Sequence, residues 1–220
     1  MHFWDKIALK YSRKRIDDLE SYEYKLNETQ TFLRPESLVL EFGCGTGSTA
    51  LHHASKVKHI LAIDYSRKMI DIAQSKSKEM DTTNVTFEVS AIENIRMENG
   101  SFDVILGMSI LHLLRDPEEA IARVNKLLKP GGVFISSTHC IGDKTPWVRH
   151  LVPIGRFLRI MPFVKVFTKL DLIGYFLNTE FKVEHEWEAS QDKAMFFVVS
   201  KSKIDQLVSV HGQKRGGRNA

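Results

Sequence analysis

From residue 38 onward, short apolar runs alternate with segments of helical periodicity, and this alternation constrains the fold more than any other feature of the chain. The apolar runs fall at 38–42, 60–63, 85–89, 102–106 and 133–136, with helical patterns at 46–54, 67–79 and 118–128. Strands joined through crossover helices lie parallel, and a parallel sheet needs helices over both faces, so the expected class is α/β. Asp116 before Pro117 reads as an N-cap with proline at the first helical position. Pro130-Gly131-Gly132 stops that helix and turns the chain into the next strand. Ahead of the alternation, residues 3–33 carry Phe3, Ile7, Tyr11, Leu19, Tyr22 and Leu26 at helical spacing and are read as N-terminal helices, ended by Pro35.

The pattern changes after residue 137. Residues 145–176 hold three of the six prolines, many large apolar side chains, and five basic residues against the single Asp171. A lid inserted at about 140–178 is the expectation, with Thr168-Lys169-Leu170-Asp171 as a capping box in which Asp replaces Glu or Gln. Two strand-like runs, 181–189 and 194–200, close the domain through a hairpin-length polar turn.

A chain of 220 residues accommodates one domain, here 1–200, followed by a tail. The net charge of +4 invites a nucleic-acid partner, but residues 201–220 hold five basic residues against Asp205, so the first 200 are formally neutral. The tail is expected to be basic and disordered. Cys44 and Cys140 make no disulfide framework, no metal-ligand spacing occurs, and no metal site is expected. The N-terminus meets charge before an apolar signal core could form, and the longest apolar stretch, 104–114, is too short to span a bilayer. A cytoplasmic location is expected.

The chemistry concentrates at Glu41-Phe42-Gly43-Cys44-Gly45-Thr46-Gly47, where an apolar strand enters a glycine turn before a helix. Glycines permit positive φ and let the backbone approach a ligand. Asp64, about twenty residues on and at the end of the next apolar run, has the position of the acid that accepts hydrogen bonds from ribose hydroxyls. The spacing is not GxGxxG, since Ser48 follows Gly47, and Glu41 suits an ammonium better than a pyrophosphate. A nucleoside carrying a cationic group fits both acids.

These segments resemble a class I S-adenosylmethionine-dependent methyltransferase, similar to the ubiquinone/menaquinone-biosynthesis subgroup. Further matches are 3–11, Ile63-Asp64-Tyr65-Ser66 with Met69, 101–105, Leu111-His112 and Leu127-Leu128-Lys129-Pro130-Gly131-Gly132. The likeness spans residues 4–201. It implies a Rossmann-like three-layer sandwich with a seven-stranded sheet, mostly parallel, whose last strand is antiparallel. It also implies S-adenosyl-L-methionine as cofactor and S-adenosyl-L-homocysteine as product. By the same resemblance Glu41 and the backbone of Gly43, Cys44, Gly45, Thr46 and Gly47 would hold the methionine part, and Asp64 the ribose. Tyr65 and Met69 would flank ribose and adenine, and Ser90-Ala91-Ile92 would lie by the adenine where relatives often carry Asp-Ala. Gly107 and Met108 would border the methyl group, and Tyr11 would close over it.

Methyl transfer from a sulfonium is an in-line displacement that needs chiefly proximity. An acceptor hydroxyl or acidic carbon benefits from a base, for which His112, His139 and His150 are candidates. The Asn/Asp-Pro-Pro-Tyr signature of nucleobase amino methylation is absent at 107–110, which disfavours nucleic acid. The apolar, basic stretch 145–176 is read first as a lid over a small apolar or lipid-like acceptor, with a peripheral membrane or dimer contact as the alternatives. The function expected is an S-adenosylmethionine-dependent methyltransferase acting on such an acceptor. The alternatives are an RNA-modifying methyltransferase and a catalytically silent methyltransferase-like partner subunit.

Overall fold

A computed structural model of the chain describes residues 3–144, 162–190 and 194–203. Two helices come first, α1 (Phe3–Ser12) and α2 (Leu19–Gln30), and Asp18 caps the second by accepting from Ser21 N. The alternating region follows as β1 (Leu38–Phe42), α3 (Ser48–His53), β2 (His59–Asp64), α4 (Arg67–Glu79), β3 (Val85–Val89), β4 (Phe102–Met108), α5 (Pro117–Leu127) and β5 (Leu128–Thr138). A short α6 (Ile141–Lys144), then α7 (Lys169–Asn178), β6 (Phe181–Glu188) and β7 (Met195–Lys201) complete the described chain.

The seven strands form one sheet in the order β3-β2-β1-β4-β5-β7-β6. β1 through β5 pair in parallel, while β7 runs antiparallel between β5 and β6. Successive side chains of a strand point to opposite faces, so the apolar runs serve two cores. Leu40, Phe42, Ile105 and Phe134 pack with Ile121 and Val124 of α5 and Phe176 of α7 on one face. Val39, Ile60, Val104 and Ile135 pack with Leu51 of α3 and Ile70 and Ala73 of α4 on the other.

The expected caps are present. Asp116 accepts from Glu119 N at 2.9 Å, with Pro117 opening α5. At α7 the Thr168 hydroxyl accepts from Asp171 N at 3.1 Å while the Asp171 carboxylate accepts from Thr168 N at 2.8 Å. The range assigned to a lid needs narrowing at its end, because Phe167, Leu172 and Phe176 are buried in the core and α7 packs on α5 and β6. The helix is the crossover between β5 and β6 and belongs to the body of the fold. Residues 145–161, His150 among them, and the tail from 204 lie outside the described residues. Among the described residues no helix is long and apolar enough to cross a membrane, and no group of three His, Cys, Asp or Glu could hold a metal ion.

Candidate functional site

In a doubly wound sheet the connections from adjacent strands diverge where the strand order reverses, leaving a crevice at their carboxyl ends. Here the reversal falls between β1 and β4, and a cavity of about 530 Å³ stands there. Glu41 and the glycine turn after β1, Met108 and Ser109 after β4, and Ser137 and His139 at the end of β5 line it. Tyr11, residues 14–18 and Tyr22, from α1, α2 and their connection, contribute the remaining wall.

The three turn glycines have φ of +67°, +54° and +77° at positions 43, 45 and 47, a region costly for residues with a Cβ. Gly43 and Gly47 are also closed in, since a Cβ would come within 2.5 Å of Ile110 and 2.7 Å of Phe87. Gly45 is different: a Cβ there meets only Tyr11 Cε1, at 3.9 Å, so its backbone faces open space under the tyrosine ring. Asp64 fastens this turn to β2, its Oδ2 accepting from Gly45 N at 3.0 Å and its Oδ1 from Ser66 N at 2.8 Å. Lys76 of α4 donates to Thr46 Oγ1 at 3.0 Å and Ser48 Oγ at 3.2 Å, anchoring the far end of the turn.

Glu41 is the most deeply buried acid of the cavity wall. Its side chain is 2% exposed, and Oε2 has no hydrogen-bond partner. Burial pushes its pKa up to about 8, partly opposed by a backbone hydrogen bond from Ala50. Burial also raises Asp64, partly opposed by the Ser66 and Gly45 N–H donors. Cys44 is raised well above the thiol range by burial first and then by Glu41 and Asp64, so it is an inert neighbour and not a nucleophile.

At the other end, the His112 ring packs edge-on against His139 at 5.2 Å, and its Nδ1 lies 2.9 Å from Thr138 Oγ1. Burial, then His139, lowers the His112 pKa to about 4, so the ring is neutral near pH 7. Ser137 Oγ is buried with no hydrogen-bond partner, and Ser137 O accepts from Ser109 N at 2.7 Å. Ser109 has φ +57°, a strained conformation of the kind that gathers at working sites.

Tyr11, Glu41, Gly43, Cys44, Gly45, Thr46, Met108 and His139 thus meet at one cavity. Asp64 reaches it through Gly45. Gly47, Tyr65, Met69, Ser90, Ala91, Ile92, Gly107 and His112 do not line the cavity. Met69 and Ile92 are 2% exposed core residues, and a Cβ on Gly107 would strike Phe42 and Phe134, so that glycine is a packing position. Tyr22, Thr49, Ser109 and Ser137 also line the cavity and have no sequence motif of their own, except that Ser136-Ser137-Thr138 is a run of hydroxyls ending an apolar strand.

A family model described as a methyltransferase domain matches residues 33–205. The chain belongs to this methyltransferase family, the class I S-adenosylmethionine-dependent enzymes that its motifs resemble. It is 30% identical over 186 residues to a demethylmenaquinone methyltransferase of Leptospira interrogans, covering 79% of this chain and 69% of that protein. It is 28% identical over 153 residues to a ubiquinone biosynthesis O-methyltransferase of Albidiferax ferrireducens, covering 67% and 60%. The crystal structure of the YcgJ protein of Bacillus subtilis superposes with a TM-score of 0.70 at 18% identity, over 82% of this chain and 99% of that one, which shows the shared fold.

Proposed function

We propose that the cavity holds S-adenosylmethionine and that the protein transfers its methyl group to a small, apolar or lipid-like acceptor. The observation that carries this reading is Glu41, a buried carboxyl with an unpartnered oxygen beside the open backbone of Gly45. A buried carboxylate oxygen lacking a partner is costly unless a cation joins it, and the ligand's ammonium group is such a cation. The cofactor supplies a methyl carbon made electrophilic by sulfonium. Glu41 and the glycine turn would bind its methionine end, and Asp64 the ribose hydroxyls at the expense of its bond to Gly45. Tyr11 would cover the bound ligand.

Relatives named for quinone biosynthesis support a lipid-like acceptor, as do Met108 and Tyr22 in the cavity wall. For an acceptor hydroxyl, His139 is the residue placed to take the proton, with His112 behind it. The intact glycine turn speaks against a silent partner subunit, and the missing amino-methylation signature against RNA.

Calorimetric titration with S-adenosylhomocysteine, followed by transfer of labelled methyl from S-adenosylmethionine to quinol, phenol, fatty-acid and amine panels, tests the reading. The expected result is homocysteine-nucleoside binding and labelling of a hydroxylated or acidic-carbon acceptor with an apolar tail. A folded protein that binds neither nucleoside overturns it, and labelling of RNA alone moves the assignment to the RNA-modifying alternative.

A further inference from the structure

Residues 6–19, of which Tyr11, Ser12 and 14–18 line the cavity, combine two features that methyl transfer does not use. Between Lys6 and Ile16 stand five basic residues and no acid, although residues 1–144 and 177–200 together carry an acidic excess of four. Lys6 and Lys10 stand at i and i+4 on one side of α1 with Leu9 at i+3, and Arg13 follows in the turn just past the end of the helix. Leu9 is 58% exposed, Ile16 49% and Leu19 55%. The acid of α1, Asp5, is engaged elsewhere, accepting from Ser66 Oγ at 2.6 Å and from Lys68 N. Lys14 pairs with Asp17 at 2.6 Å, while Lys6, Lys10, Arg13 and Arg15 hold no ion pair among the described residues.

Exposed leucine and isoleucine side chains set among unpaired cations match a surface that is anionic outside and hydrocarbon beneath. RNA would satisfy the cations and leave Leu9, Ile16 and Leu19 in water. We propose that residues 6–19 dock the protein on an anionic lipid bilayer, with the cations at the headgroups and the three apolar side chains in the interface. Lys14, Arg15 and Ile16 also line the cavity, so a membrane-dissolved acceptor would enter directly from the bilayer. That last step rests on the proposed function, whereas docking itself does not.

Vesicle flotation of the full chain tests the proposal, using phosphatidylcholine vesicles with and without phosphatidylglycerol. Wild type should float only with the anionic vesicles. Each cation removed should lower partitioning about fivefold, so Lys10→Glu/Arg13→Glu should lose more than about twenty-fivefold. Leu9→Ser should weaken binding even at high salt, and Lys214→Glu/Arg215→Glu in the tail should leave it unchanged. The proposal is overturned by absence of flotation, by loss in the tail variant with retention in the Lys10→Glu/Arg13→Glu variant, or by tighter binding to single-stranded RNA that Leu9→Ser leaves intact. Lys10 and Arg13 do not line the cavity, so both variants should bind S-adenosylhomocysteine as wild type does. Normal nucleoside binding without flotation therefore rejects docking alone, and flotation without nucleoside binding rejects the proposed function alone.

Discussion

Asp64 Oδ2 accepts a hydrogen bond from the backbone N–H of Gly45 at 3.0 Å, which joins the end of β2 to the turn after β1. One carboxylate therefore both sets the shape of the turn and stands ready for ribose hydroxyls. Asp64→Ala removes both effects and should weaken S-adenosylhomocysteine binding by about 1–3 kcal/mol, as expected when hydrogen bonds to a charged group are lost. Isothermal calorimetry checks this, and unchanged affinity would remove Asp64 from the site.

The turn glycines differ in what confines them, and thermal unfolding should separate the causes. Gly47→Ala combines positive φ with contacts at 2.7 Å to Phe87 and 2.8 Å to Ala73, so its cost should exceed about 2 kcal/mol. Gly100→Ala has φ +70° but nothing within 4 Å, and should cost about 1 kcal/mol. Equal losses would show that backbone strain alone governs both positions.

Local patterns made most of this fold legible. The run 38–42 and the helix 67–79 have their expected ends, and both N-caps follow from Asp116 and Thr168. β5 begins earlier than its apolar run because Leu128 already pairs with Phe102 of β4, and residues 129–132 bulge out before the pairing resumes at Val133 opposite Val104. The role of α7 was hidden by composition: prolines and basic residues upstream resemble a lid, yet Leu172 and Phe176 at i and i+4 are a core face. In the site, the turn and its two acids were readable because glycine and carboxylate chemistry is local. Tyr22, Ser109 and Ser137 were not, since only strand order brings α2, β4 and β5 around one cavity.

His53 is fully buried, both ring nitrogens lack partners, and burial followed by the charge on His52 lowers its pKa to about 4. The unfolded chain binds this proton from about pH 6.5 downward while the folded one does not, so stability is lost as pH falls from 6.5 toward 4. His53→Leu keeps the volume and removes the proton, and should gain roughly 1–2 kcal/mol over wild type at pH 5 with little difference from this source at pH 8. Urea unfolding at the two pH values measures it, and a pH-independent difference contradicts the assignment.

If His139 takes the acceptor proton, His139→Ala should reduce kcat for a hydroxyl acceptor roughly a hundredfold or more while nucleoside affinity stays within about twofold. Steady-state kinetics beside calorimetry separates the two effects. Thr138→Val, which removes the hydroxyl next to His112 Nδ1, should reduce kcat less, through loss of orientation. Full kcat in the His139 variant would leave proximity as the main source of catalysis.

The proposed cofactor binding depends most on Glu41 meeting a cationic group. With its carboxyl pushed up to about 8, the ligand-free site is mostly protonated near pH 7, and a cation favours the ionised form, so binding must release a proton. The deciding measurement is S-adenosylhomocysteine affinity from pH 6 to 9 for wild type and Glu41→Gln. Wild-type affinity should rise by up to about tenfold per pH unit below 8 and then level, while the glutamine variant binds weakly with no such slope. Wild-type affinity that is flat across this range and equal to that of Glu41→Gln would contradict the account.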